Sequence, residues 1–291
     1  FARTVRNPRL ALGVCQFSLV AMLAWAAFNL GSSLPNWPVD PYISPSPWFN
    51  FQIDIVRALW AILPSAILWG ASFPLALAAA AAPGQDPGKL VGGVYAANTV
   101  GAIFGSIIFA IILIPMIGTK NSQQLIILIS ALSASLVLLS IPAKLDFKWI
   151  QQKFLKKSVV SGALLITTMY LVATVPPVSD SLIAYGRYSA SWDGDNQIIF
   201  YGEGMNSSMA VSELPNGVRN YHNAGKIQAS SEPQDMRLQR MLGHLTTLVP
   251  ESPKSVLVIG CGAGVTAGAV SISPLVEKVT IAEIEMLVPE V

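Results

Sequence analysis

The sequence has few charged residues, only two cysteines and only two histidines. Charged side chains make up 12% of its 291 residues, about half of the 25% or so found in soluble proteins. The net charge of +2 is small, and no basic stripe with interleaved aromatic residues appears, so nothing indicates nucleic-acid binding. Cys15 lies in an apolar segment and Cys261 in a glycine-rich turn. The sequence therefore predicts neither a disulfide framework nor a metal site.

Long apolar stretches occupy the first part of the chain instead. Each is long enough to cross about 30 Å of hydrocarbon as a helix. We predict a transmembrane helical bundle over residues 1–177, ended by the double proline Pro176-Pro177. Its five predicted spans cover residues 10–30, 51–82, 91–117, 124–141 and 158–175.

The third predicted span carries a face of small residues. Gly101 and Gly105 form a GxxxG pair, and Ala97 extends the same face by one turn. Small residues let two helix backbones approach closely, so we predict that this face packs against partner membrane subunits. Asn98 in the same span is expected to form an interhelical hydrogen bond, with a place in a substrate path as the alternative.

Lysine and arginine in the predicted loops are concentrated on one side of the bundle. The opposite side has only Lys120 in its short loops. By the positive-inside rule the amino end is cytoplasmic, and five spans then place the residues after Pro177 outside. We thus predict a multi-pass protein of a bacterial-type inner membrane, in contact with lipid, whose soluble part lies on the non-cytoplasmic side. The basic residues on the cytoplasmic side are Arg3, Arg6, Arg9, Lys89, Lys144, Lys148, Lys153, Lys156 and Lys157.

The composition changes after Ser179 to turns and short alternating runs. Residues 197–201, 208–213 and 217–222 have strand patterns, and residues 233–248 have a helical one. We predict a β-rich domain over residues 178–232. A helix and the start of a Rossmann-like, methyltransferase-type α/β domain follow over residues 233–291.

The most specific functional pattern is an apolar strand that ends in glycines. Residues 255–259 lead into Gly260, Gly262 and Gly264, and then come a helix and a second strand that ends at Glu283. Glycines let the backbone turn sharply and leave room for a ligand. An acid about twenty residues further on can accept hydrogen bonds from ribose hydroxyls. This order predicts a nucleoside-binding turn.

Segments in both halves of the chain resemble the membrane-fused spermidine synthase-like proteins, which are related to polyamine aminopropyltransferases. These segments are 70–75 (GASFPL), 95–102 (YAANTVGA), 225–230 (GKIQAS), 243–245 (GHL) and 256–264 (VLVIGCGAG). The resemblance implies decarboxylated S-adenosylmethionine as cosubstrate, a diamine or other polyamine as acceptor, and no metal.

The resemblance also implies individual residue roles. Gln228 matches a glutamine that contacts the ligand from the β-domain, and Glu283 matches the ribose-binding acid. Gly260, Gly262 and Gly264 match the nucleoside turn. The catalytic aspartate of these enzymes falls beyond the last residue, so the catalytic residues stay unknown. Because the chain begins with Phe1 and ends after a second strand, we expect a fragment of a longer protein.

The sequence departs from this family where the soluble synthases bind their substrates. Ala263 stands in place of the aspartate that holds the aminopropyl group, Ser207 in place of a glutamine, and Gln239 in place of a histidine. A cationic amine needs carboxylates around it. Asp235 is a candidate substitute, with an exposed acid in the first turn of a helix as the alternative.

Two functions therefore stay open at this stage. The first is a membrane-tethered aminopropyltransferase or related nucleoside-dependent transferase. The second is a catalytically degenerate accessory subunit of a membrane complex, favoured by the substituted residues and by the predicted location outside the cytoplasm. Polyamine transport is a weaker third option, because the spans lack the acids that a cation path needs.

Overall fold

The computed structural model describes residues 5–37, 46–140, 147–192 and 196–290. They form two compact units, which divide between Pro177 and Val178. A short stretch that begins at Pro35 belongs to the second unit. Helices make up the first unit, and the second contains two small sheets with helices between and around them.

The described part of the first unit is built from long helices. Prolines at the first turn of three of them occupy positions where a missing N–H breaks no helical hydrogen bond. The side chains of Asn7, Ser46 and Asp86 cap these three helices. The helices are α1 (Pro8–Phe28) with a π-helical extension (Asn29–Ser33), α2 (Pro47–Ala80), α3 (Pro87–Ile107) with a π-helical extension (Ile108–Leu113), α4 (Ile114–Leu139) and α5 (Phe147–Ala173).

Among the described residues, three helical stretches are long and apolar enough to cross a membrane: Pro8–Ser33, Pro47–Ala80 and Pro87–Leu139. The third has 53 residues, about 80 Å at the rise of an α-helix and far more than one bilayer. Its backbone leaves the helical region at Gly118, where φ is 77° and ψ is 166°. This break lies between the third and fourth predicted spans. Within the fifth predicted span, Ser161–Ala173 is a shorter apolar helix.

Helix α1 packs against α2 and α4 at the centre of this unit. Val20, Ala24 and Ala27 of α1 are buried with Ile127 of α4 and Val175 after α5. Bonds from side chains to backbone carbonyls also join the helices, because a polar group in an apolar layer needs a partner. Their donors and acceptors are Cys15 Sγ and Leu68 O (3.4 Å), Trp25 Nε1 and Trp60 O (3.0 Å), and Gln124 Nε2 and Val172 O (3.0 Å).

The small-residue face of α3 is open in the described chain. A Cβ added at Gly101 or Gly105 would meet nothing within 4 Å, and no residue of α3 is buried. Asn98 is exposed, and its side chain has no hydrogen-bond partner among the described residues. The expected interhelical bond of Asn98 is therefore not formed within this part of the chain, and the partner face stays a prediction.

The second unit begins with a helical segment and continues as a four-stranded antiparallel meander. The strands lie in chain order, and register irregularities interrupt the first and third pairings. The bounds are α6 (Asp180–Tyr185), a 3-10 turn (Gly186–Tyr188), α7 (Ser189–Trp192), β1 (Gln197–Glu203), β2 (Ser208–Glu213), β3 (Arg219–Asn223) and β4 (Lys226–Ser230).

A helix and a single βαβ unit follow the meander. These elements are α8 (Pro233–Leu248), β5 (Ser255–Ile259), α9 (Val265–Ser271) and β6 (Lys278–Ala282). Strands β5 and β6 pair in parallel over five residues each, as a Rossmann-like domain requires of its first two strands. No wider parallel sheet is present in the described residues, so the structure contains a helical part and a small sheet region without a complete Rossmann-like domain.

The meander is covered on both faces. Ile183, Ala184 and Tyr185 of α6 pack with Ala210 on one face. On the other face Met209 and Tyr221 pack with Val288, which follows β6. This second face also contacts Cys261 of the glycine turn, so the packing sets the meander opposite the predicted nucleoside site.

Candidate functional site

A cavity of about 460 Å³ lies between the glycine turn and the second face of the meander. Gly262, Ala263 and Gly264 form its wall on the side of the turn. Tyr221 and Ala229 line it from β3 and β4, and Met236 and Val288 line it from α8 and the segment after β6. Most of this lining is apolar, which suits a flat organic ligand.

The glycine turn has the backbone conformation that its sequence predicts. Gly260, Gly262 and Gly264 have φ values of 82°, 53° and 73°, a region that residues with a Cβ rarely adopt. A Cβ at any of the three would meet nothing within 4 Å. These glycines are thus required by the turn itself, and the space beside them is open. Gly262 and Gly264 line the cavity, whereas Gly260 does not.

Glu283 lies beside the turn, directly after β6. Its Oε2 accepts a hydrogen bond from the Cys261 amide at 2.6 Å, and its Oε1 accepts from the amides of Ile284 and Glu285 at 2.9 and 3.0 Å. Hydrogen bonds from Glu285 and Cys261 hold the pKa of Glu283 below its usual value, so the carboxylate is ionised at neutral pH. Glu283 does not itself line the cavity. It is hydrogen-bonded to the backbone of the glycine turn, which forms part of the cavity wall.

Gln228 is placed differently from the glycines. It lies on β4 with an exposed side chain, next to the irregularity in the pairing of β3 and β4. Its neighbours Ala229 and Ser230 line the cavity, and Gln228 does not. Of the five predicted residues, Gly262 and Gly264 line the cavity and Gly260 belongs to the same turn. Glu283 is hydrogen-bonded to this turn, and Gln228 lies outside the cavity wall.

Glu285 is a second acid near the site that sequence reasoning did not identify. Only 3% of it is exposed, and its carboxylate accepts from the amides of Asn206 (2.7 Å), Ser207 (3.2 Å) and Leu287 (3.2 Å). Burial raises the pKa of Glu285, but these backbone hydrogen bonds outweigh burial and the net pKa is lowered. Glu285 thereby ties the β1–β2 turn to the segment after β6, which positions the meander wall of the cavity.

Tyr221 provides the aromatic part of the wall. It is buried, and burial raises its pKa, with the negative charges of Glu283 and Glu285 and the nearby Cys261 acting in the same direction. A hydrogen bond from Asn223 opposes this in part. The phenol therefore stays protonated at neutral pH.

The three positions at which the sequence departs from the synthase pattern are all described by the structure. Ala263 lines the cavity without a carboxylate, and Ser207 is bound to Glu285 through its amide. Gln239 accepts a hydrogen bond from Thr266 through its backbone carbonyl at 3.1 Å. Asp235, in the first turn of α8, accepts from Ser230 Oγ at 2.6 Å. Asp235 thus stands behind a residue of the cavity wall.

Neither of the two histidines lines the cavity. His222 is fully buried on the α6 side of the meander, where Ser212 Oγ is 2.8 Å from Nε2 and the Tyr185 ring packs edge-on. Among the residues that the structure describes, no group of three or more His, Cys, Asp or Glu side chains could hold a metal ion.

Comparison of the whole chain with protein-family models, with curated proteins and with solved structures found no match. The geometry of the cavity and the sequence patterns around it are therefore the basis for a functional assignment.

Proposed function

We propose that this protein is a membrane-bound transferase of the aminopropyltransferase type, which uses decarboxylated S-adenosylmethionine and an amine acceptor. One observation carries the proposal: a cavity next to bare glycine backbone, with the ionised Glu283 attached to the same turn. The open space at Gly262 and Gly264 fits a nucleoside. Oε1 of Glu283 already accepts from two amides, whereas Oε2 accepts from the Cys261 amide and keeps acceptor capacity for a ribose hydroxyl.

The reaction requires the protein mainly to align the two reactants. The bound cosubstrate would supply a carbon activated by its sulfonium, and the amine would form a bond to that carbon as the carbon–sulfur bond breaks. The roles of the chain are to seat the nucleoside along Gly262–Gly264, to orient the ribose with Glu283 and to shield the reaction with Tyr221 and Met236. Holding two reactants close together in the correct orientation can supply much of the rate enhancement.

A transfer assay on the full chain in detergent tests this proposal. We expect radiolabelled decarboxylated S-adenosylmethionine to donate its aminopropyl group to an amine, and Glu283→Gln to reduce the rate by about ten- to a hundredfold. Glu277→Gln is the matched control, because Glu277 is exposed and forms a surface ion pair with Lys254. Absence of transfer with a panel of amines would refute the enzyme proposal.

A catalytically degenerate accessory subunit is the second candidate. Two observations favour it: no carboxylate lines the cavity among the described residues, and the glycines of α3 offer an open face for a partner helix. Five spans, divided at Gly118 within the long third stretch, would place the soluble unit on the non-cytoplasmic side of a bacterial-type inner membrane. Such a unit would lack access to a cytosolic cosubstrate.

Topology mapping separates the two candidates. A single cysteine introduced with a tag after Pro177 can be probed with membrane-impermeant maleimide on intact cells, with Cys15 and Cys261 replaced by alanine. Labelling of intact cells favours the accessory subunit. Labelling only after the membrane has been opened supports the enzyme.

A further inference from the structure

The wall of the cavity carries a single charged side chain among the described residues. Arg219, the first residue of β3, lines the cavity from the meander side together with Ser230 and Ser231. Acids do lie close behind this wall, because Glu213 accepts a hydrogen bond from Arg219 and Glu283 accepts one from the Cys261 amide. Arg219 therefore acts on a ligand by direct contact and not through the overall potential of the cavity. The described wall thus offers a guanidinium and no carboxylate for direct contact with the far end of an acceptor, whereas the second ammonium of a diamine needs a carboxylate there.

Arg219 is held in place by its neighbours in the sheet. Its amide donates to Ser231 Oγ at 2.8 Å, and its carbonyl accepts from the Ser231 amide at 2.8 Å. Glu213 stands opposite it in the β2–β3 ladder and accepts a hydrogen bond from Nε at 2.9 Å. The contact with Glu213 fixes the guanidinium through one nitrogen.

The terminal edge of this guanidinium is available. Neither terminal nitrogen of Arg219 makes a hydrogen bond to the described chain, and its side chain is 65% exposed. A guanidinium edge with two free N–H groups matches the two oxygens of a carboxylate, and such bidentate pairs are both strong and specific. A lone ammonium group offers this edge no acceptor.

We propose that the acceptor substrate of this site is an amine that also carries a carboxylate, and that Arg219 binds this carboxylate. This inference rests on the proposed transferase function and replaces the diamine acceptor with an amino acid. The amine lone pair forms the new N–C bond, the C–S electrons leave with the sulfur as a neutral thioether, and the surplus proton of the product goes to solvent. Arg219 is a binding and specificity residue in this scheme.

Two acceptors of matched length test the inference. γ-Aminobutyrate and putrescine share a four-carbon chain length and differ in having a carboxylate or an ammonium at the far end. With the full chain in detergent and saturating decarboxylated S-adenosylmethionine, kcat/KM for γ-aminobutyrate should exceed that for putrescine by about tenfold or more. Cosubstrate binding is measured in parallel by calorimetry.

Variants at position 219 test the role of the guanidinium. Arg219→Gln should lower kcat/KM for γ-aminobutyrate by about ten- to a hundredfold and leave cosubstrate binding unchanged. Arg219→Lys should recover part of the preference, because it restores the charge without the bidentate edge. Arg237→Gln is the matched control, since Arg237 is exposed on α8 and does not line the cavity.

The outcomes distinguish this inference from the function on which it rests. Preference for putrescine, or an unchanged ratio in Arg219→Gln, overturns the inference and leaves the transferase intact. Cosubstrate binding without use of either amine also overturns the inference. Failure of the wild-type protein to bind the cosubstrate overturns the proposed function, and the inference with it.

Discussion

Replacement of the buried Glu285 should loosen the joint between the meander and the segment after β6. Its carboxylate accepts three backbone hydrogen bonds, from Asn206, Ser207 and Leu287. Glu285→Gln keeps one acceptor oxygen but replaces the other with an NH2 group, which faces backbone N–H groups and cannot accept from them. A hydrogen bond to a charged group contributes about 1.5–3 kcal/mol, and burial of the carboxylate offsets part of the sum, so we expect a local loss of about 2–4 kcal/mol.

Hydrogen–deuterium exchange on the full chain measures this loss where it occurs. Amides of the β1–β2 turn and of Leu287 should exchange about 30- to 800-fold faster in Glu285→Gln, since about 1.4 kcal/mol corresponds to a factor of ten. Glu277→Gln, at an exposed ion pair, should leave their exchange unchanged. Equal exchange in Glu285→Gln and wild type would refute the assigned role.

The lowered pKa of Glu285 adds a dependence on pH. A carboxylate with a folded pKa below its unfolded value of 4.5 stabilises the joint fully above pH 4.5. This stabilisation is lost as the pH falls from 4.5 through the folded pKa. In the wild-type protein, protection of the Asn206 and Ser207 amides should accordingly decline only in that acidic range.

Three further predictions concern packing and buried charge. Gly243→Ala would place a Cβ 2.6 Å from the Thr266 carbonyl and should cost about 1–3 kcal/mol of unfolding free energy in urea titrations; Gly268→Ala, in open space, should cost nothing. Burial lowers the pKa of His222, so the thermal midpoint of the second unit should fall as the pH drops below the unfolded value of 6.5. His222→Gln should flatten this dependence. Gly13→Leu should lower the stability of the bundle to thermal unfolding by about 1–3 kcal/mol, because the position faces a side chain of α4. An equally stable bundle in Gly13→Leu would contradict that packing. Gly101→Leu should leave the stability of the bundle unchanged and weaken only association with a partner.

The helices of the first unit were predictable because their signal is local. A run of apolar residues of membrane length needs no knowledge of the rest of the fold. The predicted division between a third and a fourth span falls near Gly118, whose positive φ interrupts the one long helical stretch Pro87–Leu139. The small-residue face of α3 was also visible in the sequence, but its use depends on a partner that the chain alone does not specify.

The glycine turn was predictable for a similar reason. Gly260, Gly262 and Gly264 follow an apolar strand, and all three adopt the positive φ that makes glycine necessary there. The position of Glu283 follows from the parallel pairing of β5 and β6, which brings the carboxyl ends of both strands to one edge.

Other parts of the site depend on contacts that no local pattern contains. The direction of Gln228 depends on an irregularity in the β3–β4 register, because a one-residue shift changes the face on which a side chain lies. Glu285 is recognisable as a structural acid only once the β1–β2 turn has packed against it. Arg219 was not distinguished from other surface arginines until the cavity beside it was known.

Calorimetric titration of decarboxylated S-adenosylmethionine into the detergent-solubilised full chain shows whether the glycine turn binds a nucleoside. We predict saturable binding at one site by the wild-type protein, weakened by about ten- to a hundredfold in Glu283→Gln and unaffected in Glu277→Gln. Absence of binding by the wild type, or equal affinity in Glu283→Gln, would contradict the assignment of the glycine turn as a nucleoside site.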